Sequence, residues 1–97
     1  MQADPFIVVA LLEVAPDAVG RFQRYEDAVL PLLTLHGGEV QRRLRSADGT
    51  TEVHVLSFPS EDAWRRHRDD PARLSHRPLL AGVQLVQRVM EALTEVR

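Results

Sequence analysis

Cysteine and asparagine are absent from this sequence, and so is any long hydrophobic run. Because disulfides, thiolate metal sites and thiol nucleophiles all need cysteine, none of them is available to the chain. The longest apolar run, from Phe6 to Leu12, is far shorter than the roughly 20 residues that cross a bilayer, and no basic-then-apolar leader precedes it. We therefore expect a cytoplasmic protein that has no membrane partner.

Lysine is absent too, so all 12 basic residues are arginines. This usage indicates either phosphate and carboxylate recognition or the codon bias of a GC-rich genome. The net charge is −2, and acidic residues are interspersed with the arginine groups at 42–45 and 65–68. Because a nucleic-acid-binding protein usually shows a dominant basic face, we interpret both groups as solvated surfaces and predict no nucleic-acid partner.

The length of 97 residues fits one domain, 1–97, and a hydrophobic content of 44% is enough to build a core. Residues 1–5 are expected to be disordered. The segment Phe6–Leu12 is apolar on both alternating faces, which is typical of a central strand that is covered on both sides. Polar residues alternate more regularly in the segments 39–45, 51–58 and 82–90, which we also interpret as strands. The Asp48-Gly49 pair predicts a hairpin between the first two of these three.

Two helices separate these strands. The first begins near Pro16, and its apolar stripe places either Tyr25 or Glu26 on the inner side. Pro31 predicts a kink or a fresh helical turn, and Gly37 suits the left-handed residue that ends a helix. Ser60 is the expected cap of the second helix, which ends at 70–71 and is followed by a short helix over 72–80.

The order strand, helix, strand, strand, helix, strand predicts a ferredoxin-like α+β fold, with one antiparallel sheet and both helices on one face. The other face of the sheet is then left open. Because Phe6–Leu12 is apolar on both sides, that open face would expose a large apolar patch. We therefore expect two chains to pack their sheets together as a homodimer.

Two segments carry a resemblance to known proteins. The run from Leu32 to Val40 with its His-Gly-Gly step, and the run from Leu56 through Phe58-Pro59-Ser60 to Trp64 and Asp70-Pro71, resemble a small bacterial family of unknown function. That family belongs to the dimeric α+β barrel superfamily, which includes the antibiotic-biosynthesis monooxygenases. The resemblance covers about residues 6–90. It implies the fold, the dimer and a pocket between sheet and helices, but no particular reaction.

The sequence departs from better characterised members of this superfamily. Cofactor-free monooxygenases and haem-degrading members often use an asparagine in or near the pocket, and this chain has none. Trp64 and His76 resemble a tryptophan and a haem-ligating histidine of the haem-degrading branch, but without asparagine the set is incomplete. We therefore expect no cofactor.

The histidines are the candidates for chemistry. His54 shares a strand face with Leu56 and Phe58, where it acts either as a general base or as a partly buried, hydrogen-bonded core residue. His67 is the second candidate base, and His36 is placed to cap the end of the first helix. The four histidines, His36, His54, His67 and His76, show no close metal-ligand spacing, so no metal site is predicted.

Large aromatic residues complete the candidate site. Tyr25 and Trp64 lie on the inner sides of the two helices, where each lines a pocket or simply packs in the core. Arg43 either meets an acidic ligand or pairs with an acid on the neighbouring strand, such as Glu52. The predicted ligand-binding residues are therefore Tyr25, His36, His54, Trp64 and His67.

Two functions are compatible with these residues. One is binding of a small apolar or aromatic molecule in a pocket between the sheet and the helices. The other is a cofactor-independent enzyme, monooxygenase-like or isomerase-like, that uses His54 or His67 as a base. A pocket filled by side chains would leave a third role, in which the dimer is purely an interaction module.

Overall fold

The computed structural model describes residues 4–96, so residues 1–3 of the segment that we expected to be disordered lie outside it. The four strands are β1 (Phe6–Val14), β2 (Glu39–Arg45), β3 (Thr51–Phe58) and β4 (Leu85–Leu93). The helices are α1 (Val19–Val29), α2 (Glu61–Arg68) and α3 (Pro71–Leu74). Short 3₁₀ turns occupy Pro16–Ala18, Leu30–His36 and Arg77–Leu80.

The four strands form one antiparallel sheet in the order β2-β3-β1-β4. The predicted ferredoxin-like β-α-β-β-α-β fold is therefore confirmed, with β1 and β3 at the centre. Val8 and Leu12 of β1, like Leu56 and Phe58 of β3, are buried on the face that the helices cover. Alternation along each strand sends the intervening residues to the opposite face.

The region around Pro31 ends one helix and begins another turn, as the sequence predicts. Helix α1 stops at Val29, and a 3₁₀ turn over Leu30–His36 continues the path with Pro31 near its start. Gly37 then takes the left-handed conformation, with φ 72°, and its amide bonds back to the carbonyls of Leu33 and Thr34. This turn delivers Leu33 into the core, where it is 1% exposed.

The alternation predicted for β2 is wrong at its start. A register shift between Val40 and Arg42 inserts one extra residue, so Val40 pairs with Leu56 while Arg43 pairs with His54. Val40 therefore lies on the opposite face from Arg42 and Leu44, whereas strict alternation over 39–45 predicts that all three share one face. A bulge of this kind leaves no periodic signal in the sequence, because it changes the phase of the strand.

The last strand begins later and ends later than the predicted segment 82–90. Its ladder with β1 starts at the Leu85–Val14 pair and runs to the Leu93–Ile7 pair. Because β1 ends at Val14, the residues before Leu85 have no strand to pair with. The helix predicted over 72–80 is likewise divided, into α3 and the turn Arg77–Leu80.

The centre of the sheet face that the helices do not cover is apolar, and Arg42 and Arg88 flank it on the two edge strands. Its central rows hold half-buried aliphatic side chains from β1 and β3, and the edge strand β4 adds the exposed Val86 and the half-buried Met90. The central side chains are Ile7, Val9, Leu11, Val53 and Val55. Among residues 4–96, no helix is long and apolar enough to span a membrane.

We predict that Gly38→Ala destabilises the fold by about 1–3 kcal/mol, because its new methyl group would overpack the core. A Cβ at this position would lie 2.6 Å from Cε1 of Phe58 and 3.1 Å from Cδ2 of Leu33. Urea denaturation measures the free energy of unfolding.

The matched control is Gly20→Ala in the exposed part of α1, where the nearest atom is the flexible end of Arg24 at 3.6 Å. This change is expected to stabilise by about 0.4–1 kcal/mol, since alanine restricts the unfolded chain. Equal effects of the two substitutions would contradict the close packing inferred at Gly38.

Candidate functional site

A cavity of about 90 Å³ lies between the helix-covered face of the sheet and the layer formed by α1, α2 and α3. Its inner part is aliphatic and aromatic, and its rim carries the exposed side chains of Gln87 and Val89. The walls are formed by Ala10, Leu12, Tyr25, Glu26, Val29, Leu30, His54, Leu56, Trp64, His67, Arg73, Leu85, Gln87 and Val89. Four of the five residues proposed from the sequence, all except His36, therefore meet at one cavity.

His54 reaches this cavity from the middle of β3. As the alternation of the strand predicts, it shares a face with Glu52, Leu56 and Phe58, and it is 2% exposed. Its Nε2 lies 2.8 Å from Oε1 of Glu52, and its Nδ1 lies 3.9 Å from Oε2 of Glu26. The ring is therefore held between two carboxyl groups.

Glu52 is fully buried and is held by two arginines of β2. Arg43 Nε lies 2.8 Å from Oε1 of Glu52, and Arg45 Nε lies 3.0 Å from Oε2. Burial acts to raise the pKa of Glu52, but the hydrogen bonds from Arg43, His54 and Arg45 outweigh it and lower the pKa to about 2. Glu52 is therefore an ionised carboxylate, and the strand-to-strand pair Arg43–Glu52 is as the sequence predicts.

Glu26 was only an alternative to Tyr25 in the sequence pattern, and its role was missed. Helix α1 buries both residues, and Glu26 is 5% exposed beside the cavity. Burial is the main cause that raises its pKa to about 7, and the charge of Glu52 adds to the effect. An acid that falls on the apolar stripe of a helix was the signal that sequence analysis had available.

Burial determines the charge of His54, and the ionised Glu52 determines which ring nitrogen carries the proton. Burial lowers the pKa of His54, although Glu52 acts in the opposite direction, so the ring is neutral near pH 7. An ionised carboxylate accepts hydrogen bonds and cannot donate, so Nε2 of His54 carries the proton and donates it to Glu52. The lone pair of Nδ1 is then left on the side that faces Glu26.

His67 of α2 lines the same cavity but stands among aromatic rings. Its ring centroid lies 5.6 Å from that of Phe58 and 6.2 Å from that of Trp64. Burial chiefly, followed by the charge of Arg73, lowers its pKa to about 4, and its buried Nδ1 has no hydrogen-bond partner among the described residues. His67 is thus a neutral ring that resists protonation, which makes it a weaker base than the sequence suggested.

The two large aromatics are both buried in the cavity wall. Tyr25 is 6% exposed and Trp64 is 8% exposed. The indole N–H of Trp64 donates to the carboxylate of Glu91 on β4. That bond ties helix α2 to the edge strand and fixes the orientation of the indole ring.

His36 does not join the cavity. It lies in a shallow surface groove beside Arg65, Arg66 and Asp70, and its Nε2 is 2.7 Å from Oδ2 of Asp70. His36 lies in the last turn before Gly37, where it was expected to cap the helix end; the carbonyls of Leu33 and Thr34 in this turn accept the Gly37 amide. Asp70 also accepts a hydrogen bond from the amide of Ala72, so the His36–Asp70 pair anchors the start of α3.

Metal ligands are not gathered anywhere in the described part of the chain: no group of three or more His, Asp or Glu side chains is placed to hold an ion. His76 is half-buried and is not among the cavity residues. Glu26 and His54 provide this cavity with two groups that can bind or release a proton.

The fold of this chain is shared with solved structures. The protein Rv0793 of Mycobacterium tuberculosis superposes with a TM-score of 0.70 at 24% identity, covering 97% of this chain and 100% of that one. SnoaB, a cofactor-independent oxygenase from Streptomyces nogalater, superposes with a TM-score of 0.68 at 22% sequence identity, covering 97% of this chain and 98% of that one. An antibiotic biosynthesis monooxygenase superposes with a TM-score of 0.77 at 14% sequence identity, covering 95% of this chain and 99% of that one.

These likenesses establish the class of fold. The chain has the same fold as these proteins. No protein-family model matches the sequence, and no curated protein is significantly similar to it. A shared fold does not by itself assign an activity.

We predict that Glu26→Gln abolishes the part of the decrease in folding stability that Glu26 causes as pH rises through about 7. The pKa of Glu26 is about 7 in the folded chain against an ordinary value of 4.5, so the folded state binds this proton more tightly than the unfolded state. The contribution is complete below pH 4.5 and is lost as pH rises through about 7, amounting to about 3 kcal/mol.

The measurement is the free energy of unfolding as a function of pH, taken as the difference between wild type and variant. That difference isolates Glu26 from the buried histidines, which act in the opposite direction as they lose protons. Glu39→Gln, which removes one exposed carboxyl group, reports the background. Parallel curves for wild type and Glu26→Gln would contradict the raised pKa.

We predict that Arg43→Met destabilises the protein by about 2–4 kcal/mol, because it leaves Glu52 buried with a single arginine partner. Arg66→Met, on the exposed side of α2, is expected to change stability by about 0.5 kcal/mol or less. Thermal unfolding at neutral pH compares the two. A small effect of Arg43→Met would show that Arg45 alone neutralises Glu52.

Proposed function

We propose that this protein binds a small molecule with an apolar or aromatic body and a polar end in the cavity between the sheet and the helices. The observation that carries the proposal is the composition of the cavity. Aliphatic and aromatic side chains form most of its wall, and the polar groups of Glu26, His54 and His67 converge on it. Apolar cavities with a few converging polar groups are the usual form of small-molecule sites.

The volume of the cavity limits the size of the ligand. At about 90 Å³ it is well below the roughly 300–1,000 Å³ of sites that enclose drug-sized molecules. An enclosed cavity of about 150 Å³ is known to hold benzene. The portion of the ligand that enters is therefore no larger than one small ring, and any remainder extends past the rim formed by Gln87 and Val89.

The protein is proposed to function as a homodimer of one-domain chains, 1–97. The uncovered sheet face presents a continuous aliphatic surface whose centre is the Val9–Val55 pair. Apolar patches of this kind are typical of protein interfaces in molecules of this size. A second copy presents the same apolar surface, so face-to-face packing buries both at once.

The second candidate function is cofactor-independent catalysis with His54 as base. It is favoured by the ionised Glu52, which fixes the imidazole tautomer and leaves Nδ1 free to accept a proton, as in a carboxylate–histidine pair. SnoaB, a cofactor-independent oxygenase, has the same fold at 22% identity. A reaction that begins by deprotonating the ligand is consistent with both observations.

We predict that Ala10→Leu abolishes ligand binding, because Ala10 lines the cavity and three further carbon atoms would fill much of it. Ala10 lies between His54 and Val89 in the sheet, and the fold is expected to persist at a cost of about 1–3 kcal/mol. Native mass spectrometry of the purified protein, before and after denaturation, detects a small molecule that co-purifies.

The control for this test is Ala47→Leu in the exposed turn between β2 and β3, which should retain any bound mass. Retention of the same mass by Ala10→Leu would place the ligand elsewhere. Absence of any bound mass from wild type, together with no response to single-ring compounds by NMR, would contradict the binding proposal.

We predict that Val55→Asp converts the dimer to a monomer, since it places a charge at the centre of the uncovered sheet face. The control is Leu35→Asp, which alters a side chain that is 64% exposed and lies away from the sheet. Light scattering coupled to size-exclusion chromatography measures the mass. A wild type that is monomeric at micromolar concentration would overturn the proposed assembly.

A further inference from the structure

The guanidinium of Arg73 belongs to the cavity wall and has no acidic partner in the described part of the chain. Arg73 lies half-buried in the last turn of α3. Its Nη1 donates a hydrogen bond of 3.1 Å to the carbonyl of Arg68. Both arginines of β2 are by contrast paired with Glu52. Since a guanidinium carries five N–H donors, most of those of Arg73 remain available to a ligand.

Two contacts fix the backbone that carries Arg73. Asp70 caps the start of α3, where its Oδ1 accepts a hydrogen bond of 2.8 Å from the amide of Ala72. Its Oδ2 lies 2.7 Å from Nε2 of His36, which stands at the end of the preceding 3₁₀ turn. Because a helix of one turn is marginal by itself, these contacts determine where α3 lies and hold Arg73 at the cavity.

His67 adds a second polar group to the same wall. It is 6% exposed, and its buried Nδ1 has no partner among residues 4–96. Nε2 is not closed off in this way, so the edge of the ring that carries Nε2 is the one that the cavity reaches. A neutral imidazole carries its proton on one of the two nitrogens, and a buried N–H without a partner is rarer than a buried acceptor without one. The favoured tautomer of His67 therefore offers an Nε2–H donor.

We propose that the ligand of this cavity carries a carboxylate, which pairs with the guanidinium of Arg73 and accepts a hydrogen bond from Nε2 of His67. The apolar or aromatic body of the ligand then occupies the inner part of the cavity. This inference rests on the proposed function, since it names the class of ligand for the same site. A carboxylate suits two donors because its two oxygens accept several hydrogen bonds at once, and those from a guanidinium are strengthened by charge.

The charges of the neighbouring groups favour an anion. The carboxylate of Glu52 is already matched by two arginines. Burial raises the pKa of Glu26 to about 7, so its carboxyl group holds a proton in slightly acidic solution and does not repel an anion there. The positive charge of Arg73 is then left without a counterion at a partly desolvated wall, where an ion pair is stronger than in water.

The test compares two fluorinated single-ring probes of the same shape. para-Fluorobenzoate and para-fluoronitrobenzene are both planar and both end in two oxygens, but only the benzoate carries a negative charge. Fluorine NMR measures the dissociation constant of each at about pH 6, where the benzoate is ionised because carboxyl groups titrate near pH 4. Wild type is expected to bind the benzoate about 10-fold more tightly than the nitro compound.

Arg73→Met keeps the apolar stem of the side chain and removes its charge. It should weaken the benzoate about 10-fold and leave the nitro compound unchanged. Arg73→Lys keeps the charge without the planar fork, so it should retain a preference for the benzoate. The matched control is Arg77→Met, an exposed position in the turn after α3 that does not line the cavity and should bind both probes as wild type does.

The role of His67 has its own measurement. Nitrogen NMR distinguishes a protonated from an unprotonated ring nitrogen, and in the complex with the benzoate it should place the proton of His67 on Nε2. A proton on Nδ1 in that complex would overturn the contact with His67.

The remaining outcomes separate the inference from the proposed function. Equal binding of the two probes by wild type would preserve ligand binding and overturn the carboxylate. Unchanged benzoate affinity in Arg73→Met would overturn the pairing with Arg73. If Arg73→Met loses both probes, Arg73→Lys decides, because a retained preference for the benzoate supports the pairing and an absent preference overturns it. If wild type binds neither probe, the proposed binding function fails, and the inference fails with it.

Discussion

The ion pair between a fully buried carboxylate and two strand arginines is the interaction on which this site depends. Glu52 sits in β3 with Arg43 and Arg45 of β2 against its two oxygens. An unpaired buried carboxylate would be very costly, so both arginines must fold over the sheet for the charge to be tolerated. Once ionised, Glu52 sets the tautomer of His54, and through it the polarity of the neighbouring cavity.

Two carboxyl groups near the same histidine have opposite properties because their surroundings differ. Glu52 has close cationic partners, so its pKa is lowered to about 2, whereas Glu26 has burial without a hydrogen bond, and its pKa is raised to about 7. Pairs of titratable groups whose pKa values are shifted in opposite directions are common at sites where proteins transfer protons. The contrast gives the cavity one permanent charge and one exchangeable proton.

The two faces of the sheet carry different sets of residues. The helix-covered face contains both the core around Phe22 and Phe58 and the polar cluster around His54. The uncovered face is aliphatic, and its half-buried side chains match the proposed contact with a second chain. Because strand alternation separates the two sets of residues, an assembly through one face leaves the cavity on the other intact.

The features of this fold that depend on local sequence patterns were predictable from the sequence. The order of the strands and helices, the left-handed Gly37 and the shared face of His54, Leu56 and Phe58 all follow from periodicity or from a turn preference. The Arg43–Glu52 pair was predictable because the two strands form a hairpin: Glu52 lies directly opposite Arg45 and diagonally from Arg43, within reach of a long side chain. The bulge at the start of β2 was not predictable, since it changes the phase without changing composition.

The sequence by itself determined the architecture, because hydrophobic periodicity and glycine or proline positions act over a few residues at a time. Only the tertiary structure decided which polar residues meet. It brought Glu26 of α1 beside His54 of β3, and it placed His36 with Asp70 away from the cavity. Those distances depend on how a helix is rotated against the sheet, and that rotation is a result of packing the whole core.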